Sequence, residues 1–236
     1  DDLVEPGSTL ASDEDEYESN SWFLTTFVRE AGAHAFRVHI IAETSEQLQA
    51  IIEDQLVRAD LIVISGESKD ESFDLITSVI SKLGEITTVT PNLAESGKHN
   101  YGLIGPDKTP VVTLPGDPIG NYLSAELFIR PMILKMLAKS EIYRPGKKAK
   151  LSKAVSSTPG KSSYVRATIN EDGQAVALTH QDLISTLSNA TCLISLGEKI
   201  ENLDRSVTAA GSNVLVVVVE SDAESGRRNI TESVLV

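Results

Sequence analysis

The sequence predicts an α/β fold, a mostly parallel sheet with helices on both faces, followed by a small all-β domain. Three observations predict it. Residues 1 to about 143 alternate strand-like and helix-like segments, and strands separated by helices imply crossover connections. The run Leu61-Ile62-Val63-Ile64 is short, continuous and rich in β-branched residues, as a strand buried on both faces should be. After Arg144-Pro145-Gly146 the helical period gives way to a succession of short strand-like runs. The expected organisation is therefore an α/β domain over 1–143, a β-domain over 147–220 and a flexible tail over 221–236.

Each element has its own signal. Ala11-Ser12-Asp13-Glu14-Asp15-Glu16 reads as a solvated acidic loop. Phe23, Leu24, Phe27 and Val28 recur at helical spacing, and Phe36 to Ile41 reads as a strand. Thr44-Ser45-Glu46-Gln47 has the spacing of a capping box, followed by the stripe Leu48, Ile51, Ile52 and Leu56. Past the Leu61 strand, Phe73, Ile76, Ile80 and Leu83 form another helical stripe, closed by Gly84. Ile86 to Val89 and Val111 to Leu114 are strand-like, and a helix is expected from Asn121 to Ala138, kinked or restarted at Pro131. In the second half the strand candidates are Lys150 to Val155, Ser163 to Ile169, Ala175 to Thr179, Cys192 to Leu196 and Asn213 to Glu220. Glu171-Asp172-Gly173 supplies a turn between two of them.

Composition narrows the function classes. With 41% hydrophobic and 23% charged residues, the chain has the make-up of an ordinary globular protein. A net charge of −13 argues against a nucleic-acid partner, because phosphates would be repelled. The longest apolar run, Val214 to Val219, is strand-length and far short of the roughly 20 residues of a transmembrane segment. Cys192 is the only cysteine, which leaves no internal disulfide and no thiolate cluster. His34, His39, His99 and His180 show no ligand spacing. A cytoplasmic location is expected.

Three segments carry a family likeness. The first is Asp1-Asp2-Leu3-Val4-Glu5-Pro6-Gly7, followed by Tyr17-Glu18-Ser19-Asn20 at a helix start. The second is Ala59-Asp60-Leu61-Ile62-Val63-Ile64-Ser65-Gly66, running on to Asp74. The third is Leu114-Pro115-Gly116-Asp117-Pro118, with Thr158-Pro159-Gly160 and the strand of Arg166 behind it. Together they resemble the C-terminal half of the MoeA/gephyrin-type molybdenum insertases. The third is close to the family's Leu-Pro-Gly-Asn-Pro. The resemblance implies a MogA/MoaB-like α/β domain, then a β-domain, and it implies that a longer protein precedes this stretch.

The activity that the resemblance implies is insertion of molybdate into adenylylated molybdopterin, with release of AMP. Such a site needs backbone N–H groups for phosphates, cations for charge balance and carboxylates for a divalent metal, Mg2+. By matching position, Asp74 is the family's catalytic aspartate, and Asp2 stands where the family has glutamate; both are candidates for catalysis and for the metal. Gly66 and Ser68 remain from the family's Gly-Gly-x-Ser-x-Gly phosphate loop, here Gly66-Glu67-Ser68-Lys69-Asp70-Glu71-Ser72. Glu67, Asp70 and Glu71 place negative charge where a polyanion should sit; each like-charge contact costs on the order of 1 kcal/mol. Gly97 and Lys98 match part of a Lys-Pro-Gly-Lys-Pro segment, read here as Glu95-Ser96-Gly97-Lys98-His99. Pro115, Gly116 and Pro118 are substrate-binding candidates, or else keep the geometry of a rigid turn. Arg166 matches an arginine that the family directs toward the substrate, or else lies on an exposed strand face. A homodimer is implied. The alternative on the same fold is a non-catalytic scaffold that binds a partner peptide near residues 140–150.

Overall fold

The computed structural model describes residues 3–12, 16–38, 44–66, 70–181, 185–196, 207–219 and 233–235. It divides into two compact units, one comprising residues 1–90, 97–140 and 227–236 and the other residues 91–96 and 141–226.

The first unit contains β1 (Leu3–Val4), β2 (Glu16–Tyr17), α1 (Asn20–Glu30), β3 (His34–Phe36), α2 (Ser45–Leu56), β4 (Leu61–Ser65) and α3 (Asp70–Leu83). There follow β5 (Gly84–Val89), β6 (His99–Ile104), β7 (Thr109–Leu114), α4 (Pro118–Ser124), a π-helical turn (Ala125–Ile129) and α5 (Arg130–Met136). The second unit contains β8 (Gly146–Lys150), β9 (Val155–Ser156), β10 (Ser163–Ile169), β11 (Ala175–Ala177), α6 (Ser185–Asn189), β12 (Cys192–Leu196), β13 (Val207–Thr208) and β14 (Asn213–Val218). The chain returns to the first unit with β15 (Ser233–Leu235).

The six-stranded sheet of the first unit has the order β3-β15-β4-β7-β6-β5. Its β3, β15, β4 and β7 are mutually parallel, while β6 and β5 add an antiparallel end. Alternate residues of β4 feed two cores. Leu61 and Val63 join Leu24, Phe27 and Val28 of α1 and Ile129 and Ile133 of the long helical segment. Ile62 packs instead with Leu48 and Ile52 of α2 and Ile76, Val79 and Ile80 of α3. Helices therefore cover both faces, which is why the run Leu61 to Ile64 is apolar throughout. The second unit is built on the antiparallel order β11-β10-β12-β14-β8, over a core of Leu151, Val165, Ala167, Cys192, Ile194, Val214 and Val216.

Several expectations need correction. The strand at Phe36 occupies His34–Phe36, and residues 39–41 lie outside the described residues. Sequence reading missed β6, whose register pairs Tyr101 with Thr87 and Val112. The helix expected from Asn121 to Ala138 is interrupted by the π-helical turn and restarts as α5 at Arg130, with Pro131 in its first turn, where no N–H is needed. The expected strand at Lys150 to Val155 is displaced to Gly146–Lys150 and Val155–Ser156. Residues 233–235, expected in a flexible tail, form β15 between β3 and β4. The capping box is formed at its start, where Thr44 Oγ1 accepts from the Gln47 N–H at 3.3 Å.

Candidate functional site

Parallel strands β4 and β7 are neighbours, and both end on loops that the sequence marks. Ser65 closes β4 opposite Leu114, and the Gly66 N–H donates to the Leu114 carbonyl at 3.3 Å. Crevices outside the carboxyl ends of adjacent parallel strands are where open α/β sheets take their ligands.

Two asparagines hold this edge together. Asn20, at the start of α1, donates through Nδ2 to Ser65 Oγ at 3.1 Å and to the Gly116 carbonyl at 2.7 Å. Asn121, on α4 and fully buried, donates through Nδ2 to Ser65 Oγ at 2.9 Å and to the Pro115 carbonyl at 3.1 Å. One hydroxyl thus accepts from two amides, using both of its lone pairs. The Asn121 Oδ1 is buried without a hydrogen-bond partner among the described residues.

The Leu-Pro-Gly-Asp-Pro turn is explained by the helix it starts. Asp117 is the N-cap of α4, its Oδ2 accepting from the Gly120 N–H at 2.7 Å, and Pro118 occupies the first turn, where no N–H is needed. Gly97 packs against the same turn, since a Cβ built on it would lie 3.9 Å from Pro115. Lys98 is exposed, with its Nζ 5.6 Å from the centre of the Phe73 ring on α3. Asp74 is exposed on that helix, one residue beyond Phe73. Beneath these residues, His99 is buried between the Gly97 carbonyl and Ser124, and desolvation pushes its imidazole below the usual histidine range.

At the start of α1, Glu18 accepts from the Ser21 N–H at 2.9 Å and from the Ser21 hydroxyl. Arg37 follows β3, bridges Glu5 and Glu18, and stacks 4.5 Å from the centre of the Trp22 ring. Trp22 Nε1 donates to Glu5 Oε2 at 3.1 Å, so β1 and α1 are latched by one guanidinium and one indole.

Of the sequence-predicted residues, Gly66, Gly97, Pro115, Gly116 and Pro118 fall in the first unit together with Asp74 and Lys98. Asp2, Glu67, Ser68 and Lys69 lie outside the described residues, as do the side chains of Asp70 and Glu71. Arg166 belongs to the second unit and is 2% exposed, which corrects the alternative of an exposed strand face. The Arg166 backbone is held by Gln181, whose Oε1 accepts from the Arg166 N–H and whose Nε2 donates to its carbonyl, both at 2.9 Å. The described residues contain no cluster of three metal-ligating side chains. Sequence reasoning missed Asn121, Ser65 and the clamp at His99.

The comparisons with known proteins agree with this geometry. Residues 4–135 match the family described as "Probable molybdopterin binding domain". The chain is 30% identical over 190 residues to Molybdopterin molybdenumtransferase 1 of Mycobacterium tuberculosis, which covers 75% of this chain and 44% of that protein. It is 22% identical over 205 residues to the Molybdopterin molybdenumtransferase of Bacillus subtilis, covering 83% of this chain and 45% of that one. Among solved structures, a molybdopterin biosynthesis MoeA protein from Pyrococcus horikosii superposes with a TM-score of 0.74 at 24% identity, over 92% of this chain and 51% of that one. The chain thus spans about half the length of the relatives it matches. By sequence match over more than half its length, the chain belongs to the molybdopterin-binding-domain family found in the molybdenumtransferases of molybdenum-cofactor biosynthesis.

Proposed function

We propose that this chain is the substrate-binding half of a molybdopterin molybdenumtransferase, which inserts molybdate into adenylylated molybdopterin and releases AMP. The observation that carries the reading is the meeting of the Ser65-Gly66 and Pro115-Gly116 loops at the carboxyl ends of β4 and β7, with Gly97 packed on Pro115. In this reading the backbone at Gly66 and Ser68, before α3, receives phosphate oxygens. Pro115, Gly116 and Pro118 form the rigid wall of the crevice, while Lys98 balances substrate charge. Asp74 and Asp2 would hold Mg2+. One or two carboxylates plus substrate oxygens make an ordinary magnesium site, so the exposed Asp74 fits one. A bound Mg2+ would supply charge neutralisation of the phosphates. A homodimer belongs to the same proposal and is checked by sedimentation.

The full-length protein, supplied with adenylylated molybdopterin, molybdate and Mg2+, should release AMP. Asp74→Ala should cut the rate at least about a hundredfold, in the range seen when a group acting on the transition state is removed. The second reading, a scaffold, is favoured by Glu67, Asp70 and Glu71 in the phosphate loop and by Tyr143, 72% exposed in the 140–150 segment. Failure to bind the substrate at micromolar concentration, with binding restored by Gly-Gly-x-Ser-x-Gly in the loop, would decide for the scaffold.

A further inference from the structure

We propose that His99 is the positioning residue of the Gly97-Lys98 segment: its ring grips the Gly97 carbonyl and so sets the direction in which Lys98 is presented to an anionic substrate. This rests on the reading of Lys98 as a substrate cation. His99 is only 3% exposed, and its two nitrogens have different partners. Nδ1 lies 3.0 Å from the Gly97 carbonyl, which can only accept, so Nδ1 carries the proton. Nε2 must then accept, and the Ser124 hydroxyl donates to it at 2.8 Å. Phe128 meets the ring edge-on at 5.7 Å between centres, closing its remaining side.

The residue on the other side of the clamp is as firmly held. Asn100 is fully buried, its N–H donates to Thr113 Oγ1 at 2.7 Å, and its Nδ2 donates to Thr77 Oγ1 at 2.7 Å. Its Oδ1 accepts from Thr88 Oγ1 at 2.6 Å. Three elements, α3, β5 and β7, therefore fix Asn100, and the α4 residue Ser124 fixes His99. The bond back to Gly97 carries that rigidity across Lys98. A lysine has a long, freely rotating stem, so its placement depends on the peptide that carries it. A core histidine in need of partners would be satisfied by any carbonyl; here the carbonyl flanks the candidate cation.

Two substitutions separate the two bonds. The amide nitrogen of Asn falls where Nδ1 stands, so His99→Asn keeps the Gly97 bond and gives up Ser124. Gln reaches the Nε2 position, so His99→Gln keeps Ser124 and releases Gly97. Adenylylated molybdopterin is titrated into the full-length wild type and into the Lys98→Ala, His99→Asn and His99→Gln proteins, and Lys98 amide exchange is followed. Lys98→Ala and His99→Gln should each weaken binding about tenfold, with His99→Asn within about twofold of wild type. The Lys98 amide should exchange faster in the Gln protein alone. Equal binding by the Asn and Gln proteins, with Lys98→Ala impaired, overturns the positioning role and leaves the functional reading standing. Wild-type affinity in Lys98→Ala overturns that reading and the proposal with it. Should the His99 variants fail to fold, nitrogen NMR of the wild-type imidazole decides: a proton on Nε2 rather than Nδ1 overturns the proposal.

Discussion

His99 is a neutral ring in a buried setting, and that has a consequence for stability. Burial lowers its pKa in the folded chain, whereas the unfolded chain keeps the ordinary value near 6.5. The unfolded state therefore binds a proton first as pH falls. Stability contributed by the neutral ring is complete above about pH 6.5 and is lost progressively as pH drops toward the folded pKa. Urea unfolding at pH 7.5 and 5.5 should show this decline in the wild type and a shallower one in His99→Gln. Asp117 makes a different residue-scale contribution. It caps α4, so Asp117→Ala should cost about 1 kcal/mol in denaturant unfolding, while Asp117→Asn should be nearly neutral. Asp117 stands where the resembling family motif has asparagine, and a turn position of this kind accepts either residue. Its bond to the Gly120 N–H is the physical reason for that tolerance.

At the scale of elements, the β5–β6 pair leaves no room for a side chain at two of its positions. A Cβ on Gly102 would lie 2.0 Å from the Glu85 carbonyl oxygen, and one on Gly84 would lie 2.1 Å from the Leu103 carbonyl oxygen. Neither contact can be relieved by a side-chain rotation, because backbone is met on the other side. Gly102→Ala should therefore destabilise the protein by more than about 2 kcal/mol, measured as a drop in the urea midpoint with an unchanged slope. Neither glycine announces this role, since Gly84 reads equally well as a helix terminator. The strand at β6 was hidden for a related reason. Its residues, His99 to Ile104, mix two buried polar side chains with exposed Tyr101 and Leu103, so the usual apolar alternation is absent.

At the scale of the whole molecule, the chain crosses between its two units more often than the sequence suggests. Residues 91–96 leave the first unit for the second, where the Ala94 N–H donates to the Ser162 carbonyl at 2.8 Å, and the chain returns at Gly97. The end of the chain returns as well, with β15 pairing in parallel to both β3 and β4. Truncation after residue 226 removes the strand that joins β3 to the rest of the sheet. The truncated protein should show a lower urea midpoint and faster amide exchange in β3, with the protection of β10 and β12 retained. Equal midpoints and unchanged exchange in β3 would show that β15 contributes nothing to the sheet.

By itself the sequence determined the fold class and the family. Burial patterns, caps and turn residues are local, and local chemistry is written in neighbouring residues. Leu61 to Ile64, the capping box at Thr44 and the Leu-Pro-Gly-Asp-Pro turn were all legible for that reason. Tertiary structure alone decided which polar groups meet. Asn20, Ser65 and Asn121 are far apart in the chain and share one hydroxyl, and Gln181 binds the Arg166 backbone from 15 residues away. A hydrogen bond between distant residues leaves no period and no spacing in the sequence, so only the packing of the strands and helices could bring these partners together.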